Sequence, residues 1–399
     1  MPALGNATYL DRYAQSLMGV YGRPKAVLTR GQGCYVWDAD GNRYLDLLAG
    51  IAVNALGHGH PAVVEAITRQ AAALIHVSNF FASPPQIELA ERLLGIAGAP
   101  AGSAVFFSNS GTEAIEAAIK LSRRTGRSGL VAAESAFHGR TTGALALTYK
   151  PAYREPFEPL IPSVVHVPLN DEAALRAAIG AGTAALFLEP IQGEAGVVAA
   201  DLAYLRLARE LTTASGTLLI IDEVQTGVGR TGTWFAFQQA GIVPDAITVA
   251  KGLGAGVPIG ALVTFGPTVS GLLTAGQHGT TFGGNPLAAS AGLAVLDTIE
   301  AEGLLAHASS VGDHLADSVV ALGHPLIRGV RGAGLLRAIE LSADVAAVVA
   351  DRALAAGFII NAPTPDVLRL APPLVITKAQ VDSFVAALPA LLEGLEPTS

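Results

Sequence analysis

Cysteine occurs once in the 399 residues, at Cys34, so an internal disulfide framework is excluded. Nothing beside it in sequence would lower a thiol pKa, and its expected role is a small buried side chain rather than a nucleophile. Charge is also scarce. Charged residues make up 15% of the chain, the formal net charge is −8, and neither a basic cluster nor a basic arm is present. Nucleic acid and anionic membrane surfaces are therefore not expected as partners. Long hydrophobic runs are missing too: no apolar stretch reaches about 18 residues without Gly, Pro, Asn or a charge to break it. The opening MPALGNATYLDRYAQSLMGVYG has no basic region followed by an apolar one, so no secretory signal is expected and the protein is expected to be cytoplasmic.

What is present is a globular composition, 51% hydrophobic with 45 glycines, on a chain long enough for more than one lobe. Alternating apolar residues around Asp40-Gly41 predict a hairpin within Cys34 to Gly50, and Pro61 opens a helix. From about Ser103 to Gly266, short apolar runs (AVFFSNSG, GLVAAES, AALFLEP, TLLIIDE, AITVAKG, GALVTFG) alternate with helical stretches, the pattern of an α/β lobe with a mostly parallel sheet. After about Glu302 the pattern turns helix-rich and strand-poor, with LIRGVRGAGLLRAIEL and VLRLAPPLVI as its strands. The expected division is an N-terminal segment, 1–61, that joins a small domain; a large α/β domain, 62–301; and a C-terminal α+β domain, 302–399. Between Gly252 and Leu296 there is no Asp, Glu, Lys or Arg, which suits a buried interface or an active-site wall better than a solvated surface.

Four features carry candidate chemistry. The apolar strand Leu218 to Ile221 runs into Asp222 and Glu223, at the strand edge where parallel sheets place their ligands, and a bare carboxylate there calls for a cation. Ser110, Gly111 and Thr112 follow a strand and open an amphipathic helix, so their amides could hold a phosphate, although an ordinary N-cap looks the same. Lys251, one of five lysines, ends another apolar strand among small residues, where loss of hydration would lower its pKa toward nucleophilic use; a surface lysine after a strand is the plainer alternative. Phe137 and Arg140 share a loop that could serve a planar ligand and a carboxylate, with His138 between them as a hydrogen-bonding spacer. The two histidines of GHGH, Gly57 to His60, have no carboxylate or cysteine nearby in sequence and are not expected to bind a metal. A P-loop nucleotide site fails outright, because none of the five lysines follows a glycine.

Together FFSNSGTEA, FHGRT, EPIQGE, IIDEVQTGVGRTG, AKGLGAGVPIGA, HGTTFGGNPLA and LRLAPPLVI, in this order, resemble the class III (ω-) aminotransferases, pyridoxal-phosphate enzymes of the aspartate-aminotransferase fold. The resemblance covers nearly the whole chain. It implies that fold type I architecture, with a large, mostly parallel sheet domain and a smaller α+β domain, and pyridoxal 5'-phosphate as cofactor. On it, Asp222 holds the protonated pyridine nitrogen, which is the cation the carboxylate calls for, and Lys251 forms the Schiff base and later moves the proton. The phosphate would rest on Gly111 and Thr112 with Ser110 nearby, Phe137 and Val224 would cover the two ring faces, and Gln225 would lie near the ring hydroxyl. Thr281 would reach the phosphate of a neighbouring subunit, which makes the expected assembly a homodimer with shared sites. For substrates, Arg369 would take the α-carboxylate of 2-oxoglutarate or glutamate, Glu194 would neutralise Arg369 in the other half-reaction, and Arg140 would take the remaining carboxylate.

The implied reaction moves the δ-amino group of N2-acetylornithine to 2-oxoglutarate, in arginine biosynthesis. Succinyl-diaminopimelate, ornithine or 4-aminobutyrate transamination are the alternatives within the class. A glutamate-semialdehyde aminomutase is disfavoured by the Glu194 and Arg369 pair, and a non-catalytic scaffold by the intact Lys251. Ile51 stands where ornithine aminotransferases tend to carry a tyrosine, and its apolar character favours the acetylated donor. Two further departures are Ile115, in place of a common Asn beyond the phosphate contacts, and Arg337, in a usually small position with no reason visible in the sequence.

Overall fold

The computed structural model describes residues 5–396. Near the N-terminus, β1 (Leu28–Gln32), β2 (Tyr35–Asp38) and β3 (Arg43–Asp46) form an antiparallel meander around the predicted hairpin. The turn after β2 is held by Asp38, whose carboxylate accepts from Asp40 N, Asn42 N and the Tyr44 hydroxyl. Pro61 opens the helix Pro61–Ala73, as its fixed φ predicts.

The large sheet has seven strands: β4 (Ala104–Ser108), β5 (Gly129–Ala133), β6 (Val164–Val167), β7 (Thr183–Leu188), then, after the small ribbon β8 (Ile191–Gln192) and β9 (Val198–Ala199), β10 (Leu218–Asp222), β11 (Ala246–Val249) and β12 (Gly260–Thr264). Their order is β4-β12-β11-β10-β7-β5-β6, and only β12 runs antiparallel to the rest. β7, β10 and β11 are buried along their whole length, as continuous apolar runs in a two-faced sheet should be. Six of the seven match the runs identified in sequence. The seventh, β6, is a four-residue edge strand between Pro162 and Pro168, too short for a periodic signal. The parallel strands bring the segments after Ser108, Ala133, Leu188, Asp222 and Val249 to one edge.

After residue 302 the chain holds more strand than the sequence predicts: β13 (Ile327–Ala333), β14 (Leu336–Leu341), β15 (Phe358–Ile359), β16 (Asn361–Thr364) and β17 (Val367–Leu370). LIRGVRGAGLLRAIEL is a hairpin rather than one strand, and VLRLAPPLVI is extended in a ladder only over its first four residues. β13, β14, β17 and β16 form one sheet, while β15 pairs in parallel with β3, so both ends of the chain build a common unit. Arg337, unexplained by sequence alone, straps this hairpin to the helix Leu304–Ala321: its guanidinium donates to Gly334 O (2.9 Å), Gly332 O (3.2 Å) and Asp313 Oδ1 (2.6 Å). Cys34 is 3% exposed in the main core, and burial pushes its thiol up to about 12, as an inert cysteine requires. Among the described residues no helix is long and apolar enough to cross a membrane.

Candidate active site

A cleft of about 430 Å³ opens at the shared strand edge. Its lining brings together Ser110, Gly111, Thr112, Phe137, Arg140, Asp222, Val224, Gln225 and Lys251, nine of the residues singled out in sequence. One end is the N-terminus of the helix Gly111–Arg123. Ser110 caps it through the Glu113 amide (3.3 Å), and the Glu113 carboxylate accepts in turn from Asn109 N (2.7 Å). The Gly111 and Thr112 amides have no intrahelical acceptor and remain available to an anion. Glycine at 111 is a packing necessity, because a Cβ there would lie 2.8 Å from the Val224 methyls.

Asp222 ends β10 and is 5% exposed. Register sets it opposite Thr248 on β11, whose hydroxyl donates to Oδ1 (2.9 Å), and Val224 N donates to the same oxygen (3.1 Å). The other oxygen, Oδ2, lies 2.8 Å from His138 Nδ1. Burial alone would lower the imidazole pKa, but the hydrogen bond and charge of Asp222, with Glu189 beyond, reverse this and raise it. His138 is therefore more than a spacer, a role the sequence did not reveal. Glu189, just past β7, accepts from Phe137 N (3.0 Å), and burial pushes its carboxyl up to about 8. Glu223, the second acid of the pair, turns away from the cleft. It accepts from Thr226 Oγ1 and Phe237 N (2.8 Å) and braces the loop, with burial raising it to about 7.

Lys251 follows β11 with φ of 44°, left-handed backbone that costs a non-glycine residue about 1–2 kcal/mol. Burial lowers its amine pKa, opposed by Glu194, Asp222 and Glu189 and assisted by Arg369. A half-buried amine poised this way is suited to nucleophilic use.

Arg369, on β17, is fully buried. Nη1 donates to Glu194 Oε1 (2.6 Å) and Gln225 Oε1 (3.3 Å), Nε donates to Asn361 Oδ1 (3.1 Å), and Nη2 has no partner among the described residues. Burial would raise the Glu194 carboxyl, but the charge and hydrogen bond of Arg369 outweigh it and hold it below its ordinary value. Glu194 sits in the β8–β9 turn, which Arg331 pins through Gly196 O (2.9 and 2.7 Å). Gly193 leaves room for Gln225, since a Cβ at 193 would lie 1.8 Å from Gln225 Oε1. Arg140 is exposed at the cleft mouth, its guanidinium 3.5 Å from the Tyr153 ring centroid. Thr281 is exposed and lies outside the cleft of its own chain. The GHGH histidines meet carboxylates that the sequence did not place beside them: His58 Nε2 is 2.8 Å from Asp46 Oδ2, and His60 Nε2 is 3.8 Å from Glu302.

The family model for class III aminotransferases matches residues 19–392. The chain belongs to the class III aminotransferases. As a member it is a pyridoxal-phosphate-dependent transaminase, and the fold is fold type I. It is 55% identical over 386 residues to the acetylornithine aminotransferase of Mycolicibacterium smegmatis, covering 97% of this chain and 98% of that one. With the acetylornithine aminotransferase of Streptomyces coelicolor the identity is 53% over 397 residues, covering 99% and 98%. Among solved structures it is similar to ornithine aminotransferase from Toxoplasma gondii (TM-score 0.92, 31% identity, 97% and 96% covered). It is also similar to acetylornithine aminotransferase from Elizabethkingia anophelis (TM-score 0.86, 33% identity, 97% and 99% covered). The cleft fits the cofactor of this class on its own chemistry. Free amides at one end suit a phosphate, Phe137 and Val224 offer apolar walls, and a buried acid and a desolvated amine line the same cleft.

Proposed function

We propose that this class III aminotransferase moves the δ-amino group of N2-acetylornithine to 2-oxoglutarate, giving N-acetylglutamate 5-semialdehyde and glutamate in arginine biosynthesis. Relatives at 53% and 55% identity over nearly the full chain carry the name of that activity. Bound pyridoxal phosphate supplies an electron sink for the carbanion formed when the carbon bearing the amine loses its proton. Lys251 would anchor the cofactor covalently and, when its amine is free, would act as the base that takes and returns that proton. Asp222, steadied by His138 and Thr248, would keep the ring nitrogen protonated. Gly111, Thr112 and Ser110 would hold the phosphate, Phe137 and Val224 would confine the ring, and Gln225 would serve its hydroxyl.

The observation that carries the substrate reading is the Glu194–Arg369 pair at 2.6 Å, with Arg369 Nη2 left unpartnered. A fully buried guanidinium needs an anion, and its Nη2 is a donor still to be matched by a second carboxylate oxygen. With glutamate or 2-oxoglutarate, the half-buried Glu194 swings out and the α-carboxylate takes its place. With N2-acetylornithine, whose reacting amine lies at the other end, Glu194 stays and Arg140 takes the carboxylate. Gln replacing Glu194 removes this choice. We expect E194Q to hold glutamate as well as the parent or several-fold better, while the N2-acetylornithine half-reaction slows roughly 10- to 100-fold. Single-turnover kinetics of each half-reaction reads this directly, and equal losses in both would contradict it.

The complete enzyme is a homodimer in this reading, with Thr281 reaching the phosphate in the neighbouring subunit. Support comes from the exposed aromatic patch beside it: Phe80 is 92%, Phe81 69% and Phe282 58% exposed, and Asn79 ties their segments together through Thr280 O and Gly283 O. Residues 62–301 form the cofactor-binding domain, and the pairing of β3 with β15 supports a smaller domain built from 1–61 and 302–399.

A further inference from the structure

The loop that carries Asp222, Val224 and Gln225 runs on to Arg230, which the transamination above does not use. Arg230 is 2% exposed and has no carboxylate partner among the described residues, and burial brings its pKa down to about 10. The fold therefore bears a buried cation without a counter-charge. Its partners are backbone groups. Nη1 donates to Leu335 O (3.1 Å) and to Pro372 O, and the Arg230 carbonyl accepts from Leu335 N (2.9 Å).

Those two carbonyls have a common place in the fold. β14 and β17 pair with Arg337 opposite Leu370 and Ala338 opposite Arg369. The same register carried outward sets Leu335 opposite Pro372. A normal rung cannot form there, because proline has no N–H to donate. Arg230 takes over that rung. Its side chain satisfies both carbonyls and its backbone takes the Leu335 amide. Gly334 allows the approach: at φ of 53° it bears no Cβ, which would lie 2.5 Å from Arg230 O. Three residues before Pro372 stands Arg369, itself bonded to Gln225 of the same loop (3.3 Å). Loop and strand are thus joined at two points, one in the site and one behind it.

We propose that Arg230 is a positioning residue for carboxylate recognition: by closing the β14–β17 ladder with the cofactor loop, it sets where Arg369 stands relative to the cofactor. This rests on the reading of Arg369 as the α-carboxylate partner of glutamate and 2-oxoglutarate. A lysine at 230 keeps the charge, but both carbonyls meet the single terminal nitrogen Nη1, and the lysine stem, one bond shorter, sets its ammonium back from that point. Arg369 would then drift, and a misplacement of about 1 Å can cost a contact of this kind about 100-fold.

The test compares holoenzyme R230K and R369K with the parent. For R230K we expect a cooperative thermal melt and a KM for 2-oxoglutarate raised roughly 10- to 100-fold, with kcat and the single-turnover N2-acetylornithine half-reaction within about 3-fold of the parent. 2-Oxoglutarate should raise the melting temperature of the parent and not of R230K. A merely structural arginine would instead lower stability and impair both half-reactions alike, and that result, or no change in either, overturns the proposal. R230Q, which removes the buried charge while keeping a donor, is read in the same way should R230K fail to fold. R369K separates the two levels. If it leaves the 2-oxoglutarate KM unchanged, the carboxylate reading itself falls and the proposal with it; if it raises that KM and neither Arg230 variant does, only the positioning role falls.

Discussion

Lys251→Ala is expected to end transamination while leaving a folded protein. The amine is asked for two things, to anchor the cofactor covalently and to move the proton, and general acid–base work alone is worth about 10²- to 10⁴-fold. A loss of at least about 10³-fold in kcat is therefore the expected result. Stability should change little, because the alanine inherits the same left-handed backbone and a desolvated amine is removed from among buried groups. Borohydride reduction followed by peptide mass analysis checks the anchor independently of turnover. The parent should gain the mass of the cofactor on the peptide containing Lys251, and the variant should gain none there. Unimpaired turnover in the variant would sink the mechanism.

Asp222→Asn should have the next largest effect. The substitution preserves shape, and the amide oxygen can still accept from Thr248 and Val224, so the strand end should hold. What it removes is the negative charge. A protonated ring nitrogen would then face a neutral amide and the His138 ring, whose raised pKa depends on Asp222 in the first place. Losing one partner of a buried ion pair costs about 3–5 kcal/mol, which corresponds to about 10²- to 10⁴-fold in rate. We expect D222N to lose turnover in that range and to release pyridoxal phosphate on gel filtration, with a melting curve close to that of the parent apoenzyme. Turnover within a few-fold of the parent would reduce Asp222 to a brace for β10.

Much of this was legible in the sequence wherever chemistry sits at the end of an apolar strand. Asp222 and Lys251 stood out because each closes a short hydrophobic run, and a parallel sheet brings such ends to one edge. The helix-start signature of Ser110, Gly111 and Thr112 was legible for the same local reason. Less could be read where a role depends on a neighbour far along the chain. His138 meets Asp222 across 84 residues, and its loop position carries no trace of that pairing. Glu189 and Asn361 act through contacts that only the assembled sheets create. The small domain was under-read because its strands are short and interrupted: Gly334 turns one apparent strand into a hairpin, and Pro372 ends the ladder of another. Arg337 needed the helix Leu304–Ala321 beside it before its position made sense.

The central claim joins a cofactor anchored at Lys251 to a donor that presents its δ-amine with an acylated α-nitrogen. The visible spectrum of the purified holoenzyme, titrated with N2-acetylornithine and separately with ornithine, tests both parts in one cuvette. The account predicts a yellow protein that N2-acetylornithine bleaches efficiently and ornithine poorly. A yellow protein bleached better by ornithine or 4-aminobutyrate would contradict the donor assignment, and a protein that stays colourless after pyridoxal phosphate is added would contradict the site itself.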